Sequence, residues 1–375
     1  MAGTGPVGVG FIGTGMISDT YLENLKSFPD VRVVILGDLD TARAASQADK
    51  HGVALSGTPD EVLSHPEVEL VVNLTIPAAH VPVSKAAIAA GKHVWSEKPI
   101  GVDRASAREL LDQADAAGLR VGIAPDTVLG PGLQTARRAI ARGDIGVPLS
   151  AQTAMQYIGP DIFHPNPEFL FARGGGPLLD MGPYYVTALV HLFGPVARVA
   201  AVGLTGRATR TVQAGERAGT VFDVEVPTLV QAIAQFEQGE TSQSVFSFDS
   251  PLARTGFFEV TGTEGTLVVP DPNEFDGQVT ITRAPTLETI RSGQEPIPVA
   301  PVGVTAGRGL GVLDMARAIR ADVPHIATGD LGYHVFDTLS SIGESIETSA
   351  FVEVESTVGD IPLVPEDRDP FEATL

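Results

Sequence analysis

Lys98 stands in the quartet Ser96-Glu97-Lys98-Pro99, directly after the short apolar run that begins at His93. A lysine held against a reacting carbon can donate to a carbonyl oxygen, or take a proton from a hydroxyl once its surroundings lower its pKa. Taken alone it reads better as a solvated lysine at a strand end. Further along, Gly174-Gly175-Gly176-Pro177-Leu178-Leu179-Asp180-Met181-Gly182-Pro183-Tyr184-Tyr185 leads into an apolar helix that ends near Gly194. Asp180, Tyr184, Thr187 and His191 recur at helical spacing and are expected to share one face. Such a stripe either lines a cavity, forms a hydrogen-bonded core network or faces solvent. His164, in the proline-punctuated loop Gly159-Pro160-Asp161-Ile162-Phe163-His164-Pro165-Asn166-Pro167, competes with Tyr184 as acid/base, because imidazole titrates in the useful range and loops so placed often cover a site. It is as readily a surface histidine.

A second constellation serves a dinucleotide. The strand Val7 to Ile12 runs into Gly13-Thr14-Gly15-Met16-Ile17-Ser18, a G-x-G-x-x-S turn that opens a helix. Gly13 permits the turn, Gly15 lets backbone approach a pyrophosphate, and Ser18 keeps the helix close to the strand. Free N–H groups of Met16, Ile17 and their neighbours, with the helix dipole, then attract phosphate. The next strand ends in Gly37-Asp38, 20 residues past Ser18, where an acid accepts from the ribose hydroxyls. With no arginine beside it, Asp38 disfavours a 2′-phosphate, so NAD is expected over NADP. A structural glycine turn in another doubly wound fold is the alternative.

Metal chemistry is not expected. The 375 residues include no cysteine, no H-E-x-x-H occurs, and His51, His65, His93, His325 and His334 have no partners at ligand spacing. The formal charge of −21, without any basic cluster, disfavours nucleic acid and anionic membranes. The first fifteen residues lack a basic leader region and there is no 18-residue apolar run, which predicts a soluble, cytoplasmic protein.

The elements that must position these residues fall into two groups. Up to residue 128 the apolar runs Val7 to Ile12, Val31 to Leu36, Leu70 to Leu74, His93 to Ser96 and Val121 to Ala124 alternate with helical patterns, among them His80 to Ala90 and Asp103 to Ala117. Strands joined by helices imply a doubly wound parallel sheet. After a helix from Gln134 to Ala141, β-rich stretches follow at Leu149 to Tyr157, Leu229 to Phe236, Ser244 to Phe248 and Phe257 to Val269, which predicts a mostly antiparallel sheet. Two helices close the chain, one over Val312 to Ala321 and one behind Asp330 as N-cap, with Leu331, Val335, Leu339, Ile342 and Ile346 as its apolar face. The expected division is 1–128 for the cofactor and 129–375 for substrate and oligomerisation.

The GFIGTGMIS loop, the Glu97-Lys98-Pro99 triplet, the segment from Ala124-Pro125-Asp126-Thr127 through Gln134-Thr135-Ala136-Arg137, the GGGPLLDMGPYY block and Gly309-Leu310-Gly311 with Asp314-Met315 together resemble the Gfo/Idh/MocA oxidoreductases, essentially end to end. The resemblance implies an N-terminal Rossmann domain, a C-terminal α+β domain whose open sheet joins copies into a homodimer or homotetramer, and hydride transfer between nicotinamide and a sugar or cyclitol carbon. It implies that Lys98, Asp180 and the residue at 184 line the reacting centre, with Tyr184 in place of the family's histidine. It also places Thr75, Pro77 and His80, a turn similar to the family's T-P-x-x-x-H, with Glu97, Lys98 and Asp126 beside the cofactor, although His80 at a helix N-terminus reads equally well as only a capping or packing residue. An NAD-dependent glycosidase working by oxidation and elimination, or a non-enzymatic NAD-binding sensor, would suit the same motifs.

Overall fold

The computed structural model describes residues 4–375, so the start of the N-terminal stretch considered above, residues 1–3, lies outside the described residues. The chain divides into two compact units. One contains the residues up to Gly130 together with Gly303–Tyr333 and Pro362–Leu375; the other contains Pro131–Val302 and His334–Ile361.

The first unit begins with β1 (Val7–Ile12), α1 (Met16–Leu25), β2 (Val31–Gly37), α2 (Thr41–His51), β3 (Leu55–Gly57) and α3 (Pro59–Ser64). It continues through β4 (Leu70–Asn73), α4 (Pro77–Ala89), β5 (His93–Ser96), α5 (Arg104–Ala117) and β6 (Val121–Ile123). The six strands pair in parallel in the order β3-β2-β1-β4-β5-β6, the doubly wound arrangement that the alternating pattern predicts. Every residue of β1 and β4 is buried, as strands covered by helices on both faces must be. Local chemistry sets the helix limits. The Asp40 side chain caps α2 at the N–H of Arg43, a Thr58–Glu61 capping box starts α3, and Asp103 caps α5 at the N–H of Ser106. The short edge strand β3 and the helices α2 and α3 are additions to the elements read from sequence.

The second unit opens with α6 (Pro131–Ala141), β7 (Pro148–Gln156), α7 (Gly176–Asp180), α8 (Gly182–Phe193) and β8 (Val196–Leu204). A two-stranded hairpin, β9 (Thr209–Thr211) and β10 (Val221–Asp223), precedes β11 (Leu229–Phe236), β12 (Thr241–Ser247), β13 (Arg254–Gly262), β14 (Gly265–Val268) and β15 (Thr280–Arg283). The chain then passes through α9 (Thr289–Ser292), β16 (Ile297–Pro298), α10 (Leu310–Ala321), α11 (Gly329–Thr348) and β17 (Val352–Glu353). A nine-stranded sheet runs β16-β15-β14-β13-β7-β12-β11-β8-β17, in which only the β12–β7 pair is parallel.

Two details of the C-terminal region differ from the sequence expectation. Residues 303–333 and 362–375 cluster with the cofactor unit, because α10 packs against the turn after β6 and its Arg317 grips Asp30 at 2.7 Å. Asp330 is not the N-cap of the last helix: it lies inside the first turn, and the Thr328 hydroxyl takes the N–H of Leu331 instead.

Candidate active site

The cofactor loop has the shape its glycines predict. Gly13 sits at φ +99°, and a Cβ there would lie 2.7 Å from the Leu74 carbonyl carbon, so only glycine fits between β1 and the end of β4. Gly15 opens onto empty space and is the N-cap of α1 without any side-chain cap, which leaves the helix N–H groups available to an anion. Ser18 is fully buried and donates to the Gly15 carbonyl at 2.6 Å. Met16, Leu39 and Ile76 expose 67%, 93% and 66% of their surface after the ends of β1, β2 and β4, where apolar cover for a bound dinucleotide would be placed. Leu39 and Ile76 escaped the sequence reading, although an apolar residue two or three positions past a strand end was the available signal.

Asp38 is engaged more fully than expected. Its Oδ2 accepts from the Thr14 N–H at 2.7 Å and the Thr14 hydroxyl at 2.8 Å, and Oδ1 accepts from the Asp40 N–H at 2.9 Å and from Arg43 at 2.6 Å. Burial works to raise the carboxyl's pKa, but the Arg43 guanidinium with the Asp40 and Thr14 N–H groups hold it at about 2. The expectation of no arginine beside Asp38 is therefore corrected. Arg43, in the first turn of α2, folds back onto it because the Asp40 cap starts the helix there.

Behind Lys98 lies a buried polar frame. Trp95 Nε1 donates to the Tyr21 hydroxyl at 3.2 Å, the hydroxyl donates to Glu97 Oε1 at 2.9 Å, and Glu97 Oε2 accepts the Lys98 N–H at 3.1 Å. The Lys98–Pro99 peptide is cis. His80, 1% exposed, has its ring nitrogens 2.7 Å from the Pro99 carbonyl and 2.9 Å from that of Thr75, and burial lowers its pKa. Asn73 Oδ1 holds the Thr75 hydroxyl at 2.7 Å, fixing the turn that Pro77 carries into α4. Asp126 is also 1% exposed: Oδ2 accepts the N–H groups of Gly309 and Gly311 at 2.8 and 3.0 Å, and burial raises its pKa to about 6. Direct contact with a cofactor was expected of His80 and Asp126. Instead, His80 is buried against the Pro99 and Thr75 carbonyls, where it joins the turns that carry Thr75 and Lys98, and Asp126 is buried against the N–H groups of Gly309 and Gly311 at the start of α10.

In the second unit, the Asp180 and Tyr184 positions fall on two helices. Asp180 ends α7, Met181 breaks the run, and Pro183 sits in the first turn of α8, where its missing N–H needs no partner. The expected single polar face is corrected accordingly. Thr187 and His191 are core residues, 3% and 0% exposed, so the lower part of the stripe is buried. His191 shows the consequence: its carbonyl accepts from Arg137, and burial lowers its ring pKa to about 3. The Asp180 carboxylate acts electrostatically on two neighbours, His164 and Tyr157. Nδ1 of His164 accepts the Asn166 N–H at 3.0 Å, so in the neutral ring Nε2 carries the proton. Burial lowers the His164 pKa while Asp180 and Glu168 oppose the shift. Burial pushes the phenol of Tyr157, just past β7, well above its ordinary range, with the Asp180 and Asp161 charges adding to it. Sequence reasoning missed Tyr157, whose only signal was a phenol at the end of an apolar strand. Among the described residues, no cluster of three or more His, Cys, Asp or Glu is placed to hold a metal, and no helix is long and apolar enough to cross a membrane.

A six-stranded doubly wound sheet with a glycine turn and an uncapped helix at its phosphate edge defines a dinucleotide-binding fold. Residues 7–124 match the oxidoreductase family with an NAD-binding Rossmann fold, and residues 133–268 match the GFO/IDH/MocA C-terminal domain. The chain belongs to the Gfo/Idh/MocA oxidoreductases. It is 28% identical to 1,5-anhydro-D-fructose reductase of Ensifer adhaerens, over 92% of this chain and 98% of that one. It is 27% identical to the trans-1,2-dihydrobenzene-1,2-diol dehydrogenase of Bos taurus, over 70% and 74%. Among solved structures, an NAD-binding oxidoreductase from Klebsiella pneumoniae superposes with a TM-score of 0.79 at 25% identity, covering 93% of this chain and 99% of that one. Levoglucosan dehydrogenase in complex with NADH and L-sorbose shares the fold, with a TM-score of 0.78 at 21% identity and coverage of 93% and 99%.

Proposed function

We propose that this oxidoreductase is an NAD-dependent dehydrogenase that moves a hydride between nicotinamide C4 and a hydroxyl-bearing carbon of a sugar, anhydrosugar or cyclitol. The observation that carries the reading is the Glu97-Lys98-Pro99 turn at the carboxyl edge of the Rossmann sheet, held from behind by Tyr21 and from the side by His80. The residues present fit the dinucleotide: Gly15 leaves open space before an uncapped helix, and Asp38 offers a fixed negative charge at the ribose position. When bound, the nicotinamide supplies the hydride acceptor or donor. Lys98 manages the proton of the reacting hydroxyl, and the frame of Glu97, Tyr21 and Trp95 fixes the backbone from which it projects. Asp180 assists with Tyr184 or with His164, whose Nε2–H is the donor in its neutral form. The names of the anhydrofructose reductase and levoglucosan dehydrogenase relatives support a carbohydrate substrate. The exposed Val202, Leu204 and Ile233, on one face of the nine-stranded sheet, support pairing of copies through it.

The test is nicotinamide absorbance with NAD and a panel of cyclitols, aldoses and anhydrosugars. A dehydrogenase accumulates reduced cofactor; an oxidation–elimination cycle returns it, and a sensor produces none. Lys98→Met is expected to keep cofactor affinity and lose turnover by roughly a factor of 10² or more. Lys98→Arg is expected not to restore it, because guanidinium keeps its proton at working pH. A methionine variant with native turnover removes Lys98 from the mechanism.

A further inference from the structure

The segment that joins β7 to α7 carries two phenyl rings in solvent, Phe163 at 60% and Phe169 at 48% exposure, whereas Phe171, Phe246, Phe248 and Phe258 of the same unit are fully buried. Exposed aromatic surface forgoes about 25 cal/mol per Å² of burial, so folding alone does not explain its placement. Nor is this a loose loop. Arg210 of β9, itself 2% exposed, donates to the Ile158 carbonyl at 2.8 Å, to Asp161 at 3.1 Å, and to the Phe248 carbonyl and Asp249 at 2.6 Å each. The Gln213 N–H reaches the Asp161 carbonyl at 2.9 Å, Arg217 reaches Asn166 at 3.0 Å and pairs with Glu168, and the Glu225 N–H reaches the Phe171 carbonyl at 2.9 Å. The β9–β10 hairpin thus fastens the segment along its length and holds both rings in the open.

Each exposed ring abuts a polar aromatic group beside Asp180. Phe163 stacks on Tyr157, with centroids 6.4 Å apart and planes 19° off parallel, and Phe169 meets the His164 ring edge to face at 5.4 Å. Flat apolar faces bordered by a phenol, an imidazole and a carboxylate match a ligand with one hydrocarbon face and a rim of hydroxyls. A pyranose or cyclitol ring has such a face, whereas an open-chain polyol presents no continuous one. We propose, building on the carbohydrate dehydrogenase reading, that Phe163 and Phe169 form a preformed stacking platform for the ring of a cyclic polyol substrate, with the β9–β10 hairpin and Arg210 as its positioning support.

The experiment reads ligand binding to the NADH-loaded protein by saturation-transfer NMR, so it does not depend on turnover. The probes are myo-inositol, methyl β-glucopyranoside and the open-chain sorbitol. The native protein is expected to bind at least one ring compound more tightly than sorbitol. Phe163→Ala and Phe169→Ala are expected to weaken that ring compound roughly tenfold, with Phe163→Tyr close to native and NADH affinity unchanged. Ring binding without any turnover supports the platform while overturning the dehydrogenase reading. Turnover with unchanged ring affinity in both alanine variants overturns the platform alone. Equal or tighter binding of sorbitol overturns it too, as does dissociation of an oligomer by the alanine variants, which makes the rings a subunit contact.

Discussion

In the proposed NAD reading, charge selectivity at the ribose rests on one carboxylate and one guanidinium. Asp38 stays ionised across the working range, since its pKa of about 2 is set by Arg43 and by the Asp40 and Thr14 N–H groups against the pull of burial. A ribose diol can donate hydrogen bonds to such a carboxylate by displacing Arg43, whose side chain is 52% exposed. A 2′-phosphate meets a fixed negative charge there and an arginine already engaged with it. Asp38→Ala removes the acceptor and releases Arg43 together. NADH is expected to weaken by roughly tenfold or more, the worth of a charge-assisted hydrogen bond, while NADPH tightens. Fluorescence titration of both cofactors on both proteins decides it. Native protein that prefers NADPH sinks the NAD assignment, and equal losses for the two cofactors remove Asp38 from selectivity.

At the scale of elements, the break between α7 and α8 separates Asp180 from Tyr184, while the fastened segment after β7 brings His164 within reach of the Asp180 charge. The two acid/base candidates therefore sit on different supports. If Tyr184 holds the role, Tyr184→Phe is expected to collapse turnover by about 10² with NADH affinity unchanged, and if His164 holds it, His164→Ala does so and abolishes an imidazole-like ionisation in the rate profile. The ratio of the two variant rates on one substrate is the measurement, and a phenylalanine variant as fast as native excludes Tyr184. The sequence was legible where chemistry is local. The glycine turn, the helix capped by Asp103 and the alternation of β1, β2, β4, β5 and β6 each follow from neighbouring residues. It was silent where a short element or a distant contact decides. Three-residue β3 has an exposed Leu55 and no readable alternation, Met181 breaks a helix that the spacing makes continuous, and Arg43 reaches Asp38 only because α2 turns it back.

At the scale of the whole molecule, the chain leaves the cofactor unit at Gly130 and returns to it at Gly303, and Asp126 is a joint of that return. Its Oδ2 binds the N–H groups of Gly309 and Gly311 at the start of α10, across 183 and 185 residues of sequence. Burial and the nearby Glu97 charge oppose ionisation, while the two glycine N–H groups and Arg308 favour it, and the balance places its pKa at about 6 against an ordinary 3.8. The Tyr21 hydroxyl, kept neutral by burial and by these same acids, is a further titratable neighbour. Because the folded pKa is raised, the native state binds the proton more tightly than the unfolded chain, and this site's contribution to stability is lost as pH rises toward and through 6. Asp126→Asn keeps an oxygen for both glycine N–H groups and cannot ionise. Its stability relative to the native protein is therefore expected to rise by about 1.4 kcal/mol between roughly pH 5 and pH 7.5, one pKa unit of differential interaction. Urea unfolding of both proteins at a series of pH values measures the difference directly, with the other carboxylates of this acidic chain common to both. A difference that stays flat across that range means Asp126 is ionised in the folded state throughout, and the joint then rests on a charged carboxylate.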